Sequence, residues 1–262
     1  MPTLTVNGIE MYYEITGEGP PLLLIHGLGS SGRDWEYQIP DFKDHYQVIT
    51  VDLRGHGRSS KPKGPYSIRG FADDVVALLK GLNLESVHVI GISMGTSVGF
   101  ELVLGYPEKF QSFIGVNMGV SLPVKTIQEK WQFLKRTLIV KLVGMKKMGE
   151  FLAPRLFPDP SQEHLQKMIA DRWAENDKKA YLTAMNALKN WSVEEKLSQI
   201  QVPTLIVASD GDYTPVHVKE EYVTKIPHAK LVVMEQAHHA VPVEKPEEFN
   251  VIALNFLKLH NN

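Results

Sequence analysis

The chain contains no cysteine in its 262 residues. That excludes a disulfide framework, a thiol nucleophile and every thiolate metal site, and it fits a reducing compartment; a side-chain nucleophile here is an oxygen or an amine. No apolar run approaches the ~18 residues needed to span a bilayer. The opening stretch MPTLTVNGIEMYYEITG lacks the basic start and apolar run of a signal peptide. An excess of one charge is also missing. The 28 basic and 30 acidic residues leave a net charge of −2 with no long single-sign block, which points away from nucleic acid as the main partner. No HExxH or comparable ligand spacing occurs, so no metal site is expected. These absences lead to the expectation of a soluble, cytoplasmic protein. What is present, 43% hydrophobic residues with glycine and proline spread along the length, is enough to bury the core of one large domain.

The segments TLTV and IEMYYEI alternate in polarity around Asn7-Gly8, a pair that accepts the positive φ angles of a tight hairpin. The pattern then changes to short runs that are apolar throughout: 21–27, 46–52, 86–93, 110–118, 203–209 and 229–236. Such runs suit parallel strands buried on both faces. Between them, SIRGFADDVVALLKGLNL (67–84) predicts a helix capped by Ser67, with Ile68, Phe71, Val75, Leu78, Leu79 and Leu82 on one side. Alternating strand and helix predicts an α/β fold with a mostly parallel, doubly wound sheet behind an antiparallel N-terminal hairpin. Residues 121–199 break the rhythm with several helical runs and no strand-like one. The expected organisation is therefore a core of 1–120 and 200–262 with a helical insertion at 121–199.

The run HVIGISMGTSVGFELVLGYP places Gly91-Ile92-Ser93-Met94-Gly95 where a buried strand gives way to a helix. A sharp strand–turn–helix corner lifts a serine hydroxyl clear of the sheet, and glycines on either side remove side chains that would collide with neighbouring backbone. Ser93 is thus the candidate nucleophile, with the Met94 N–H and the helix dipole favouring negative charge on a substrate oxygen. A base and an orienting acid are then needed. Two candidate acids, Asp210 and Asp212, lie in ASDGDYTP, and two adjacent histidines, His238 and His239, lie in EQAHHAVPVEKPEEF.

The HGLG turn at 26–29, DLRGHGRS at 52–59, GISMG, SDGDYTP and the final HHAVPVEKPEEF together resemble the α/β-hydrolases over residues 4–259. Within that family the core is most similar to small serine esterases, enol-lactonases and cofactor-free perhydrolases. The resemblance implies backbone N–H groups of Leu28 and Met94 as an oxyanion hole and His26 as a brace for its loop. It implies DLRGHGRS as a rigid supporting turn, and the insertion as a cap. It selects Asp212, which stands shortly before Pro215, over Asp210. Asn117, where some relatives carry the acid, is not an anion. Counting back from Pro246-Glu247, the resemblance makes His239 the base and puts His238 where glycine is usual, so local strain or a hydrogen bond is expected there.

In TIQEKWQFLKRTLIVKLVGM, Ile127, Trp131, Leu134, Leu138, Leu142 and Met145 share one helical face, while Phe133, Val140 and Val143 form a second patch nearly opposite. A helix with two apolar sides needs two partners: the core and cleft on one side, and a further cap helix, a second subunit or a membrane surface on the other. The bland expectation is a cap helix packed on its neighbours; a homodimer through the cap is the alternative assembly. Trp131, Phe133 and Met145 are the candidate substrate-pocket residues. The function expected from the whole is a carboxylesterase that forms an acyl-enzyme on Ser93 and uses no cofactor. A lactonase, enol-lactonase or perhydrolase is the alternative within the same chemistry, and a small-molecule receptor with slow or no turnover is the rival from another class. The expected partner is a small ester or lactone.

Overall fold

The structure is a computed structural model and describes residues 2–261. Strands β1 (Thr3–Val6) and β2 (Ile9–Thr16) form the opening hairpin, with Asn7 and Gly8 at φ 46° and 77°. Then come β3 (Pro21–Ile25), the short α1 (Ile39–Phe42), β4 (Gln47–Val51), α2 (Ile68–Gly81), β5 (Val87–Ile92), α3 (Met94–Gly105) and β6 (Phe110–Val116). Four helices follow, α4 (Ile127–Leu138), α5 (Met145–Leu156), α6 (Glu163–Ala174) and α7 (Lys178–Leu188), with a π-helical turn at Ile139–Val143. The chain returns through β7 (Thr204–Ser209), α8 (Val216–Val223), β8 (Lys230–Met234), α9 (Val241–Glu244) and α10 (Pro246–Lys258).

The eight strands form one sheet in the order β1-β2-β4-β3-β5-β6-β7-β8. The β1–β2 and β2–β4 pairings are antiparallel and all others are parallel. Fully apolar strands are required because both faces are covered. Leu23, Ile25, Val89 and Phe113 pack on the side of α2 and α3, whereas Leu22, Leu24, Ile90 and Ile114 pack on the side of α1 and α10. Helix α2 has the predicted face: Phe71, Val75, Leu78 and Leu79 are buried, and Ser67 Oγ accepts the Gly70 N–H at 2.9 Å. Leu82 falls at its C-cap. No helix among the described residues is long and apolar enough to cross a membrane.

The insertion between β6 and β7 differs from expectation in which side of α4 is covered. Val140 is buried and Phe133 half-buried, while Ile127, Trp131, Leu134, Leu138 and Leu142 lie on the surface. Phe133, Val140 and Arg136 occupy the inward side, whereas Val143 of the smaller patch is exposed; of the longer stripe only Met145 is buried and the rest faces solvent.

Candidate active site

Ser93 joins β5 to α3 in a conformation that L-residues rarely adopt, φ 54° and ψ −120°, which costs about 1–3 kcal/mol and persists only where its surroundings enforce it. The enforcement is visible in the neighbours. The Ser93 N–H donates to the Val116 carbonyl at 2.9 Å, and the Thr96 hydroxyl lies 2.7 Å from the Gly91 carbonyl while accepting the Val116 N–H at 2.9 Å. A Cβ on Gly91 would sit 2.3 Å from the Gly95 carbonyl oxygen, and one on Gly95 would sit 2.2 Å from the Ile25 carbonyl oxygen. Only glycine fits at either position, so the two glycines exist to let the corner close.

The HGLG turn lies directly beside this corner, since a Cβ on Gly27 would be 3.4 Å from Ser93 Cβ. His26 is buried and bonded at both ring nitrogens. Nε2 accepts the Leu53 N–H at 3.0 Å, which leaves Nδ1–H to donate to the Gly27 carbonyl at 2.7 Å. Burial pushes its pKa down, so the neutral ring braces the turn. Leu28 and Met94 are buried, yet among the described residues neither backbone N–H has an intramolecular acceptor. Buried N–H groups without a partner are rare because they cost about as much as a lost hydrogen bond. The DLRGHGRS turn locks the rim below: Asp52 accepts from the Gly32 N–H at 2.8 Å and the Arg58 N–H at 2.7 Å, and Arg54 holds Asp74 through two bonds of 2.6 and 2.7 Å.

Past β7, the two aspartates separate. Asp212 Oδ1 is 2.6 Å from His239 Nδ1, while Asp210 turns away and accepts the Gln236 and Ala237 N–H groups at 2.9 and 3.0 Å. Asp210 therefore ties the two loops together, and Asp212 sets the ring of His239. The Nδ1–H donation leaves Nε2 of His239 as the unprotonated nitrogen available to a proton donor. Tyr213 stacks on the imidazole at 4.5 Å between centroids and 26° between planes.

Three supporting residues had no assigned role in the sequence reading. Lys219 on α8, with a completely buried side chain, donates to Asp212 Oδ2 at 2.6 Å and to the Thr214 carbonyl at 2.5 Å. Burial works to raise the Asp212 carboxyl, but the hydrogen bond and charge of His239 and the Lys219 ammonium outweigh it and hold the group below its ordinary range. Its one signal in sequence is position: Lys219 stands three residues before Tyr222, the buried anchor of α8, where an apolar residue would be usual. Asn117, at φ 48°, reaches the Ser209 hydroxyl at 2.8 Å and the carbonyls of His238 and His239 at 3.1 Å each, so it clips the histidine loop to the ends of β6 and β7. Glu244 accepts both the backbone N–H of His238 at 2.6 Å and its ring Nδ1 at 2.7 Å. Of the two expectations for His238, strain and a hydrogen bond, the structure shows the second. The positive φ of this loop, 49°, is at Gln236.

Ser93 and His239 border one apolar cleft of about 250 Å³ between the sheet and the insertion. Their side chains make no hydrogen bond with each other among the described residues, a separation that commonly tightens only when substrate binds. Leu152, Leu156, Ile169, Trp173 and Leu188 of α5, α6 and α7 form the roof, and Leu28 and Met118 lie on the sheet side. Arg136 of α4 also reaches the cleft, where its Nε donates to the Tyr181 hydroxyl at 2.5 Å. Trp131, Phe133 and Met145 do not border it. Trp131 is 60% exposed on the outer side of α4, Phe133 packs against the core, and Met145 is buried within the insertion. The roof comes instead from α5–α7, whose contribution no local pattern distinguished from ordinary packing.

A family model described as alpha/beta hydrolase fold matches residues 20–246. The chain belongs to the alpha/beta hydrolase fold family. It is 32% identical to a 3-oxoadipate enol-lactonase of Acinetobacter baylyi over 255 residues, covering 95% of this chain and 93% of that protein. It is 30% identical to a protein of Yersinia enterocolitica named as a carbamate hydrolase, over 94% of this chain and 92% of that one. Among solved structures, the enol-lactonase of Burkholderia xenovorans superposes with a TM-score of 0.90 at 26% identity, covering 98% of this chain and all of that one. For a member of this hydrolase family, the elbow at Ser93, the cleft and the insertion between β6 and β7 are the features that bear on function.

Proposed function

We propose that the protein is a carboxylic-ester hydrolase that works through an acyl-enzyme on Ser93. The observation that carries this reading is the convergence of a strained corner, whose serine borders the cleft, and an acid-oriented imidazole on that one apolar cleft. Ser93 Oγ attacks the ester carbonyl and His239 Nε2 takes its proton. Asp212 holds the ring in the required tautomer and stabilises it when charged. The oxygen that becomes an anion is met by the N–H groups of Leu28 and Met94, which are buried and otherwise unpaired; losing one such donor costs about 2.7–4 kcal/mol in serine hydrolases. His239 returns the proton to the leaving alcohol, and water activated by the same histidine frees Ser93. The chemistry needs no cofactor. The insertion acts as the cap, and its apolar roof suits the hydrocarbon part of an acyl or alcohol group, with Arg136 the one cation at the cleft among the described residues.

Lactone opening by the same steps is the second reading, favoured by the enol-lactonase names of two of the relatives above. A panel of p-nitrophenyl esters, five- and six-membered lactones and aryl carbamates, assayed with wild type and His239→Ala, separates these readings. Repeated turnover on esters that His239→Ala loses supports the proposal. Binding with no more than one turnover across the whole panel sinks it in favour of a receptor.

A further inference from the structure

Helix α4 carries most of its apolar side chains on the side facing away from the molecule. Ile127, Trp131, Leu134, Leu138 and Leu142 recur at intervals of four, three, four and four residues, which is one stripe along a helix continued through the π-helical turn. They are exposed by 88, 60, 46, 40 and 79% respectively. Single exposed apolar residues are ordinary, but a continuous row of five marks a contact surface. Phe133, Arg136 and Val140 supply the inward side, so the stripe is the helix's outer face and not a displaced piece of the core.

The charges beside the stripe decide what it fits. On a helix advancing by about 100° per residue, Lys130 and Lys141 project about 60–80° to one side of the stripe's centre and Lys135 about 60° to the other, so lysines flank it on both sides. None of these three lysines forms an ion pair among the described residues. Residues 121–149 hold seven Lys/Arg and a single acid, Glu129. That acid is on the far side of the helix, where its carboxylate accepts the N–H groups of Lys125 and Thr126 at 2.8 Å each as part of the helix cap. A second copy docked helix against helix would bring lysines against lysines with no acid to meet them. Anionic headgroups complement the flanking ammonium groups, while the apolar row enters the boundary of the acyl chains and the lysine stems lie along it.

We propose that α4 is a docking helix that seats the protein on an anionic lipid surface. Arg136, on the opposite side of the same helix, borders the cleft, so docking brings the cleft's roof to the lipid–water boundary, where apolar esters concentrate.

Vesicle flotation of the full chain tests this, with phosphatidylcholine alone against an equimolar mixture with phosphatidylglycerol. The expected result is flotation with the mixed vesicles only, reversed by high salt. Replacing Lys130, Lys135 or Lys141 by glutamine weakens partition about five-fold each. Leu134→Glu/Leu138→Glu abolishes it while leaving the circular-dichroism melt unchanged, because both positions are at the surface. Wild type that stays in the aqueous phase with both vesicle types overturns the proposal, as does undiminished flotation of the double variant. A wild-type dimer in sedimentation that the leucine substitutions dissociate, without flotation, assigns the stripe to a second copy and overturns it equally.

Discussion

Replacing Lys219 by methionine removes one charge from a buried pair while keeping most of the side chain's volume. Both members of the pair are fully buried and lie 2.6 Å apart, so the change leaves the Asp212 carboxylate inside the protein without its counterion. Breaking such a pair costs about 3–5 kcal/mol, chiefly the penalty of stranding the remaining charge. Asp212 keeps the bond from His239 and a 3.3 Å contact from the Thr214 N–H, which places the expected loss near the lower end, about 3 kcal/mol. For a chain of this size that corresponds to a fall in Tm of about 6–12 °C. Activity falls as well, because the acid that orients His239 loses one of its anchors, and a misplacement of about 1 Å at a reacting group costs up to about a hundred-fold in rate. Thermal melts in four proteins provide the assay: wild type, Lys219→Met, Asp212→Asn and the double variant. In the Asp212→Asn background the unpaired ammonium is itself the buried charge, so Lys219→Met there becomes neutral or stabilising. A single variant that melts within about 1 °C of wild type, or a cost that is the same in both backgrounds, refutes the reasoning.

Gly95→Ala drives a methyl to within 2.2 Å of the Ile25 carbonyl oxygen, backbone that cannot move aside cheaply, so it is expected to lower stability by about 1–3 kcal/mol or more and to abolish turnover, as read by melting and by ester hydrolysis. Arg136 makes no ion pair among the described residues and borders the cleft, so Arg136→Met is expected to lower kcat/KM for p-nitrophenyl hemiglutarate relative to p-nitrophenyl valerate about ten-fold or more, the worth of a charged hydrogen bond. An unchanged ratio assigns the guanidinium to Tyr181 alone. The N–H groups of Ala237 and Gln236 hold the Asp210 carboxyl below its ordinary range, so the stabilisation it provides is complete above the unfolded carboxylate pKa of about 3.9 and is lost as pH falls through the lower folded value. The Tm difference between wild type and Asp210→Asn should therefore be constant from neutral pH to about 5 and shrink below about 4; a difference that persists unchanged into acid contradicts this.

The sheet was legible in the sequence because parallel strands covered on both faces leave no room for polar alternation, and each of the six apolar runs contains an observed strand. The corner at Ser93 was legible for a related reason: its steric demands are so severe that they leave glycines as a mark. Other features carry no such mark. Lys219 has only its spacing from Tyr222 to set it apart in VHVKEEYV, and its partner is not apparent until α8 is docked against the Asp212 loop. Asn117 reads as a missing acid, although its amide clips the histidine loop in place. His238 reads as an awkward substitute for glycine because its partner, Glu244, becomes its neighbour only when the chain turns into α9. The two apolar sides of α4 were visible, but which one is covered depends on how the insertion settles on the core. Periodicity along a single helix does not contain that information.

Intact-mass measurement during hydrolysis of p-nitrophenyl butyrate shows whether Ser93 carries an acyl group through repeated turnover. The expected result is a transient adduct of one butyryl group, located on Ser93 by peptide mapping and followed by steady turnover, with both adduct and turnover lost in Ser93→Ala. Steady turnover that survives in Ser93→Ala, or an acyl group found on another residue, would contradict it.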